Sequence, residues 1–450
     1  MHDLAFVGFL LALFAIGFRK PFVFVLAYVY IDNVVPQRLT YYLLNSIPIS
    51  LIAVICAVAG WALMDDKRDV RVAPRQGLLL LLLIYCGLTT SQADFPVEAL
   101  DKWTWVWKAL AFAIFLPLTL RTRLRFEALS LFMVLSAASI IIVGGIKTLA
   151  SGGGYGSLNL MMSNNNGLYE SSIISTVAIT IIPILLFLMR NGTIFPFDWR
   201  VRIFVYALIF ACALIPVGTQ ARTGLICLAV LAVLMLRSTK RRFLYVSLIG
   251  AAFLIAVPML PSGFTNRMET IKDYKGDQSA STRLAVWAWT WEFAKDHPFG
   301  GGFDAFRQNK LRFELTKTDE GGPTQDVESR IATDQARAYH SAYFEMLGEQ
   351  GYPGLLIWLL IHFAGIFRME LLQQKYSKRD EDDDQWIGSL ATALQQAHIV
   401  YMVGALFVGI AFQPFVYMLV GLQIGLDTYA TRRSTEAAKG RARKPSPLTA

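Results

Sequence analysis

The chain has 450 residues, of which 55% are hydrophobic and 17% charged, with a mean hydropathy of +0.45. That is too apolar for a soluble domain of ordinary make-up and excludes an aqueous globular enzyme. The formal net charge of +9 is spread over many short loops and forms no single patch, which argues against a nucleic-acid partner.

Apolar stretches recur at 3–18, 21–32, 44–64, 77–92, 103–120, 126–149, 168–189, 201–218, 223–236, 243–260, 353–369, 394–413 and 415–430. Several approach the ~20 residues that a bilayer core demands of a helix, and backbone groups in lipid leave helices as the fitting solution. The expected fold is an all-α polytopic membrane protein. The first two stretches are short and interrupted by "RKP", which predicts one broken crossing or a shallow hairpin, and about 12 transmembrane helices in all. No small-residue cleavage site follows the first stretch, so it reads as retained. Cys56, Cys86, Cys212 and Cys227 all fall in apolar stretches and read as small core residues, with neither a disulfide framework nor a CxxC metal site.

Basic connectors set the sidedness. "DDKRDVRVAPR" (65–75), "RTRLR" (121–125), "RNGTIFPFDWRVR" (190–202), "RSTKRR" (237–242), "RMELLQQKYSKRDEDDD" (368–384) and the tail "RRSTEAAKGRARK" (432–444) fall on one side if the spans alternate. With Arg19 and Lys20 they hold well over half of the 42 Lys and Arg residues, so this side is expected to be cytoplasmic. The chain then divides into a helical core over 1–260, a large loop over 261–352, further spans over 353–430 and a basic tail over 431–450. The loop is expected to form a periplasmic cap with amphipathic helices, and the tail to be disordered.

The loop is polar but rich in tryptophan. "STRLAVWAWTWEFAKD" (281–296) predicts a helix whose Leu284, Trp287 and Trp291 share one apolar face suited to a membrane surface. "HPFGGGFDAF" ends it. Those glycines have neither a following Lys-Ser/Thr nor a preceding strand, so a helix-terminating turn that lets chains pack closely outweighs a nucleotide loop.

Three charged groups carry the chemical reading. Arg222 stands at the expected outer start of a span, where the helix dipole alone does not favour a cation. Taken singly it reads equally well as an anchor at the lipid headgroups. Arg283 and, more weakly, Arg267 are assigned to the same face, and clustered guanidinium groups suit phosphate because they pair bidentately and stay charged. His340, in "RAYHSAYFE", leads into the span at 353–369, and a neutral imidazole near pH 7 is a competent general base. His362 and His398 lie inside spans and read as packing or hydrogen-bonding residues. No histidine pair has metal-ligand spacing.

The order "TQARTGLICLAVLAVLML", "STRLAVWAWTWEFAKDHPFGGGFDAF", "HSAYFEMLGEQGYPGLLIWLL" resembles the O-antigen ligase and polymerase superfamily over about 205 to 370. In that pattern an Arg-Gly or Arg-Thr-Gly opens a helix, an "R…W…HP-GxG" segment follows in a periplasmic loop, and "HN-YLE-L-E-G-GL" opens the next helix. The N-terminal half, through "RKPFVFVLAYVYIDNVVPQRLT" and "SNNNGLYESS", is similar to the branch of exosortase-associated O-glycosylation ligases. Two positions depart: Ser341 follows the histidine where Asn is frequent, and Thr223 separates Arg222 from Gly224. Neither removes a charge, so they bear on the choice of acceptor more than on chemistry.

The resemblance implies a metal-independent, inverting membrane glycosyltransferase that uses no cofactor. It would sit in a bacterial inner membrane with its site facing the periplasm, and move a glycan from undecaprenyl pyrophosphate to a hydroxyl of lipid A-core. His340, Arg222 and Arg283 match the family's catalytic positions, and Arg267 is a weaker match for pyrophosphate binding. An O-antigen or exopolysaccharide polymerase and a protein O-oligosaccharyltransferase share the donor half of such a site and stay open at this point. A transporter of lipid-linked glycans would want helices broken at mid-membrane and inverted internal repeats, and neither is convincing here.

Overall fold

A computed structural model of the chain describes residues 2–40, 42–67, 70–151, 167–237, 278–318, 327–376 and 384–443. The expected span at 243–260 and Arg267 lie outside the described residues.

Helices α1 (His2–Gly17) and α2 (Phe22–Val34) fold back on each other through the turn that carries Arg19 and Lys20. Phe14 and Phe18 both meet Phe24 edge-on across this pair, so the interrupted apolar segment forms the hairpin alternative. There follow α3 (Pro36–Leu39), α4 (Ile49–Met64), α5 (Pro74–Ser91), α6 (Pro96–Thr119), α7 (Arg123–Ser151), α8 (Ser171–Asn191), α9 (Trp199–Gly218) and α10 (Arg222–Arg237). Pro74 and Pro96 stand in the first turns of α5 and α6, where a missing N–H costs no helical bond. Glu170 caps α8 by accepting the Ile173 N–H at 2.8 Å.

Beyond these lie α11 (Gln278–Asp296), the strands β1 (Lys310–Thr318) and β2 (Val327–Gln335), α12 (Ala342–Tyr376), α13 (Gln385–Gly404) and α14 (Pro414–Arg443). Helix α13 packs among α8, α10 and α12, while α14 packs against α6 and α12. Their shared interior is apolar and includes Trp358, Tyr401, Phe412, Phe415 and Tyr417, all essentially inaccessible. By length and composition α7, α8, α9 and α12 can each cross a membrane, and α1, α2 and α4 are apolar but shorter. All four cysteines are free, three of them buried, as the sequence implied.

Ion pairs gather the basic connectors at one end of the bundle. Arg125 pairs with Asp65 at 2.6 Å and lies over Phe22, Arg433 pairs with Asp384, and Arg432 donates to the Arg121 carbonyl. His340 lies at the other end.

Four boundaries differ from expectation. The helix placed at 394–413 runs nine residues earlier, because the apolar residues at 405–412 outweigh the stretch at 385–393, with Gln385, Ser389 and Thr392, in hydropathy. The apolar residues after Gly404 instead form a turn. Helix α12 starts at Ala342, ahead of the polar stretch, and bends at Gly351. The tail expected to be disordered continues α14 as far as Arg443. The loop is not wholly helical, since β1 and β2 pair antiparallel from Lys310 opposite Gln335 to Thr318 opposite Val327. The all-α reading thus holds for the bundle and not for this hairpin.

Candidate active site

His340 is the last but one residue before α12, and its backbone is left-handed, with φ of 49°. Histidine is among the residues that tolerate this region, yet it must be held there by its neighbours. The hold is visible on both sides. Tyr339 is buried, with its ring against Phe306 and its carbonyl accepting the Trp287 indole N–H at 2.9 Å. Ser341 is buried too, and the next amide, of Ala342, donates to the Ala405 carbonyl at 2.8 Å. Farther back, Asn309 brackets Arg337 by donating to its carbonyl at 2.7 Å and accepting its N–H at 2.9 Å.

Helix α11 delivers Arg283 to this histidine. Trp287 stacks on Phe344 with ring centroids 5.0 Å apart and planes 7° from parallel, which fixes the rotation of the helix. Arg283 lies one turn earlier on the same face. Burial lowers the His340 pKa to about 4, with the Arg283 charge and then that of Arg337 adding to the effect. The imidazole is therefore neutral at pH 7, the form that can take a proton.

The face of α11 that packs is not the one the spacing predicted. Thr282, Val286, Thr290 and Ala294 are buried, and Val286 forms a small cluster with Leu311 and Tyr339. Leu284 and Trp291 are more than half exposed, and Trp287 bridges the two faces.

Arg222 opens α10 at the same end of the bundle. Just before it, Gln220 takes a left-handed turn, and the Ala221 N–H reaches back to the Pro216 carbonyl at 3.0 Å. Gly224 is required by close approach: a Cβ there would stand 2.5 Å from Pro216 Cγ and 2.9 Å from Ser175 Cβ. The Arg-Thr-Gly order thus buries Thr223 and Gly224 against α8 and α9 and leaves Arg222 half-exposed at the helix start. Helix α10 packs on α13, whose last turn leads to the Ala405 carbonyl that anchors α12, so Arg222 and His340 flank one structural joint. Arg267 is outside the described residues.

The glycine turn is an interlocking piece, as its composition suggested. Gly301 and Gly302 donate to the carbonyls of Gly348 and Glu349 at 3.0 and 2.9 Å, and Tyr352 returns a bond to Pro298. Gly302 and Gly351 have φ of 79° and 63°, and a Cβ on either would lie within 2.4 Å of another chain segment.

Sequence reasoning missed a buried charge cluster beneath this joint. Lys102 of α6 lies 2.6 Å from a Glu345 oxygen and 2.8 Å from Glu349, with Phe303 and Phe412 flanking its ammonium group. Glu345 also accepts the Ala411 N–H at 3.0 Å, and Glu349 accepts that of Asp304 at 3.0 Å. Lys102 therefore ties α6 to α12, to the glycine turn and to the approach to α14. The signal was present in the i, i+4 spacing of Glu345 and Glu349 and in a lysine beside an apolar run. Glu345, a neighbour of His340 in sequence, is engaged here and does not orient the imidazole.

His362 and His398 are hydrogen-bonded core residues, as expected, with their ring nitrogens 2.7 Å apart and the Gln423 oxygen 3.1 Å from His398 Nδ1.

Residues 205–359 match the family described as O-Antigen ligase, a span that contains Arg222, Arg283 and His340. That match relates this segment of the chain to the O-antigen ligase superfamily. Its members are glycosyltransferase-like ligases and polymerases acting on lipid-linked glycans. Residues 1–193, which include Lys102, match a family of unknown function, DUF5935. No curated protein matches the chain. In the ligase-like unit His340 and Arg283 are brought together by tertiary packing, whereas Arg222 shares their end of the bundle.

Proposed function

We propose that this protein is an inverting glycosyltransferase of the ligase type, moving a glycan from undecaprenyl pyrophosphate to a hydroxyl of lipid A-core. In this reading about 12 helices cross a bacterial inner membrane, the connectors with Asp65 and Arg125 face the cytoplasm, and α11, β1 and β2 belong to a periplasmic cap. The observation that carries it is a neutral histidine held in left-handed backbone with an arginine charge beside it.

The chemistry follows from that pairing. The acceptor hydroxyl attacks the anomeric carbon from the face opposite the pyrophosphate, forming the glycosidic bond as the C–O bond to phosphate breaks, which inverts the centre. His340 takes the hydroxyl proton, and the pyrophosphate leaves with the electron pair. Arg283 and Arg222 bind the leaving group, whose negative charge grows toward the transition state, and each such donor contributes roughly 3 kcal/mol. Arg337 adds charge at the same place. Arg267 is assigned a weaker role in holding the pyrophosphate.

The arginines have a second effect. In the resting enzyme the charges of Arg283 and then Arg337 add to burial in suppressing protonation of His340. A bound pyrophosphate offsets their charge, so the histidine becomes more basic when donor is present.

The test is a reconstituted assay that offers purified undecaprenyl pyrophosphate-linked glycan with lipid A-core, with a second lipid-linked glycan, and with a Ser-rich peptide. Transfer to lipid A-core supports the ligase reading. Transfer only to the second glycan or to the peptide replaces it with the polymerase or the protein oligosaccharyltransferase. Loss of activity in EDTA with rescue by a divalent metal contradicts the metal-independent mechanism.

A further inference from the structure

A cavity of about 850 Å³ opens between α8, α9, α10 and α13 at the end of the bundle remote from His340. Its walls are mixed in character. Leu186, Leu231 and Ala232 are among its apolar lining residues, and Arg190, Tyr206 and Gln396 are among its polar ones, with Asn191, Ser389 and Thr392. Among the described residues the side chains of Arg190, Tyr206 and Gln396 have no hydrogen-bond or ion-pair partner. A cavity of this volume, lined mostly by apolar residues with several polar groups in its wall, is built like a ligand site.

The rim identifies the ligand's head. Arg190 ends α8, and Arg200 and Arg202 begin α9, with Arg200 over the Trp199 ring and Arg202 over that of Phe197. Asp198 is the acidic residue among them, and its carboxylate accepts the Trp199 N–H. Phe195, Phe197 and Trp199 are about half exposed or more. Aromatic rings and basic groups together at the ends of apolar helices are the marks of the headgroup level of a bilayer, and the excess of cations selects an anionic head.

We infer that this cavity is a binding site for one anionic glycerophospholipid, whose phosphate meets Arg190, Tyr206 and Gln396 and whose acyl chain lies between α8 and α10. The lipid fills a groove that the described helices leave between them and fastens α10 to α8 at the end opposite the glycan site. This assignment stands independently of the transfer reaction.

The test uses the full chain in nanodiscs with a photoreactive acyl-chain phosphatidylglycerol, competed by unlabelled phosphatidylglycerol, phosphatidylcholine or undecaprenyl phosphate. The expected result is labelling of α8 and α10, competed best by phosphatidylglycerol. Arg190→Gln lowers the preference over phosphatidylcholine about fivefold, the equivalent of about 1 kcal/mol for one cation at the headgroup level. Ala232→Trp fills the groove and reduces labelling to background, while Ile203→Trp, at an exposed position on α9, leaves it unchanged. Equal competition by phosphatidylcholine, better competition by undecaprenyl phosphate, or undiminished labelling of Ala232→Trp overturns the assignment.

Discussion

Across the joint between α11 and α12, the Arg283 guanidinium charge adds to burial in bringing the His340 imidazole pKa to about 4. Neither residue makes a base site alone. An anionic ligand on the arginine restores the part of the histidine's basicity that the guanidinium charge removes, and the arginine needs the loop at 336–341 to stay in register with α11.

That coupling predicts a split in pH dependence. The working base is neutral His340, so activity is lost as pH falls through its pKa. The value of kcat/KM for donor reports the unliganded enzyme and should hold down to about pH 5, with its acid limb near 4. The value of kcat reports the donor complex, where the arginine charges are offset, and its acid limb should lie at higher pH. Arg283→Gln should raise the limb in kcat/KM while lowering its plateau by about a hundredfold. Coincident limbs for the two parameters would contradict the coupling.

Lys102 is expected to matter for folding of the joint. Lys102→Met leaves Glu345 and Glu349 buried without their cation and should destabilise the protein by about 3–5 kcal/mol, read as a lower thermal unfolding midpoint in detergent. The loss should include faster amide exchange in the glycine turn, which Glu349 holds through the Asp304 N–H. Unchanged exchange there would separate Lys102 from the joint.

Trp287→Phe keeps an aromatic ring for Phe344 and removes the N–H that bonds the Tyr339 carbonyl. The neutral hydrogen bond is worth about 1 kcal/mol, so the chain should still fold. Its effect should fall on geometry, lowering kcat at least tenfold with a smaller change in donor affinity. Equal losses in both would mean that Trp287 supports donor binding instead.

Gly302→Ala tests the close approach of the glycine turn. A Cβ at φ of 79° would stand 2.4 Å from Ala93 Cβ, so the substitution should cost at least about 1–3 kcal/mol, measured by thermal unfolding. A stability equal to wild type would show that this turn is not packed as described.

The sequence carried the helical bundle because apolar runs of membrane length are a strong, local signal. It offered His340 and the arginines as candidates because their order along the chain resembles a family pattern. It misplaced α13, because Gln385, Ser389 and Thr392 make the true start of the helix less apolar than the turn after Gly404, toward which hydropathy pointed. It overlooked β1 and β2 although Leu311, Phe313 and Leu315 alternate at the strand period, since a hairpin in a membrane protein's loop has no length signature. Lys102 and its two glutamates are separated by more than 240 positions, and only the packing of α6 on α12 makes them one cluster.

The most direct test of the central claim is single-turnover glycan transfer by His340→Asn, which keeps a residue tolerant of left-handed backbone and removes the base. With purified lipid-linked donor and lipid A-core, transfer should fall at least about a hundredfold while donor binding stays within a few-fold of wild type. Transfer within a few-fold of wild type would contradict the assignment of His340 as the group that takes the acceptor's proton.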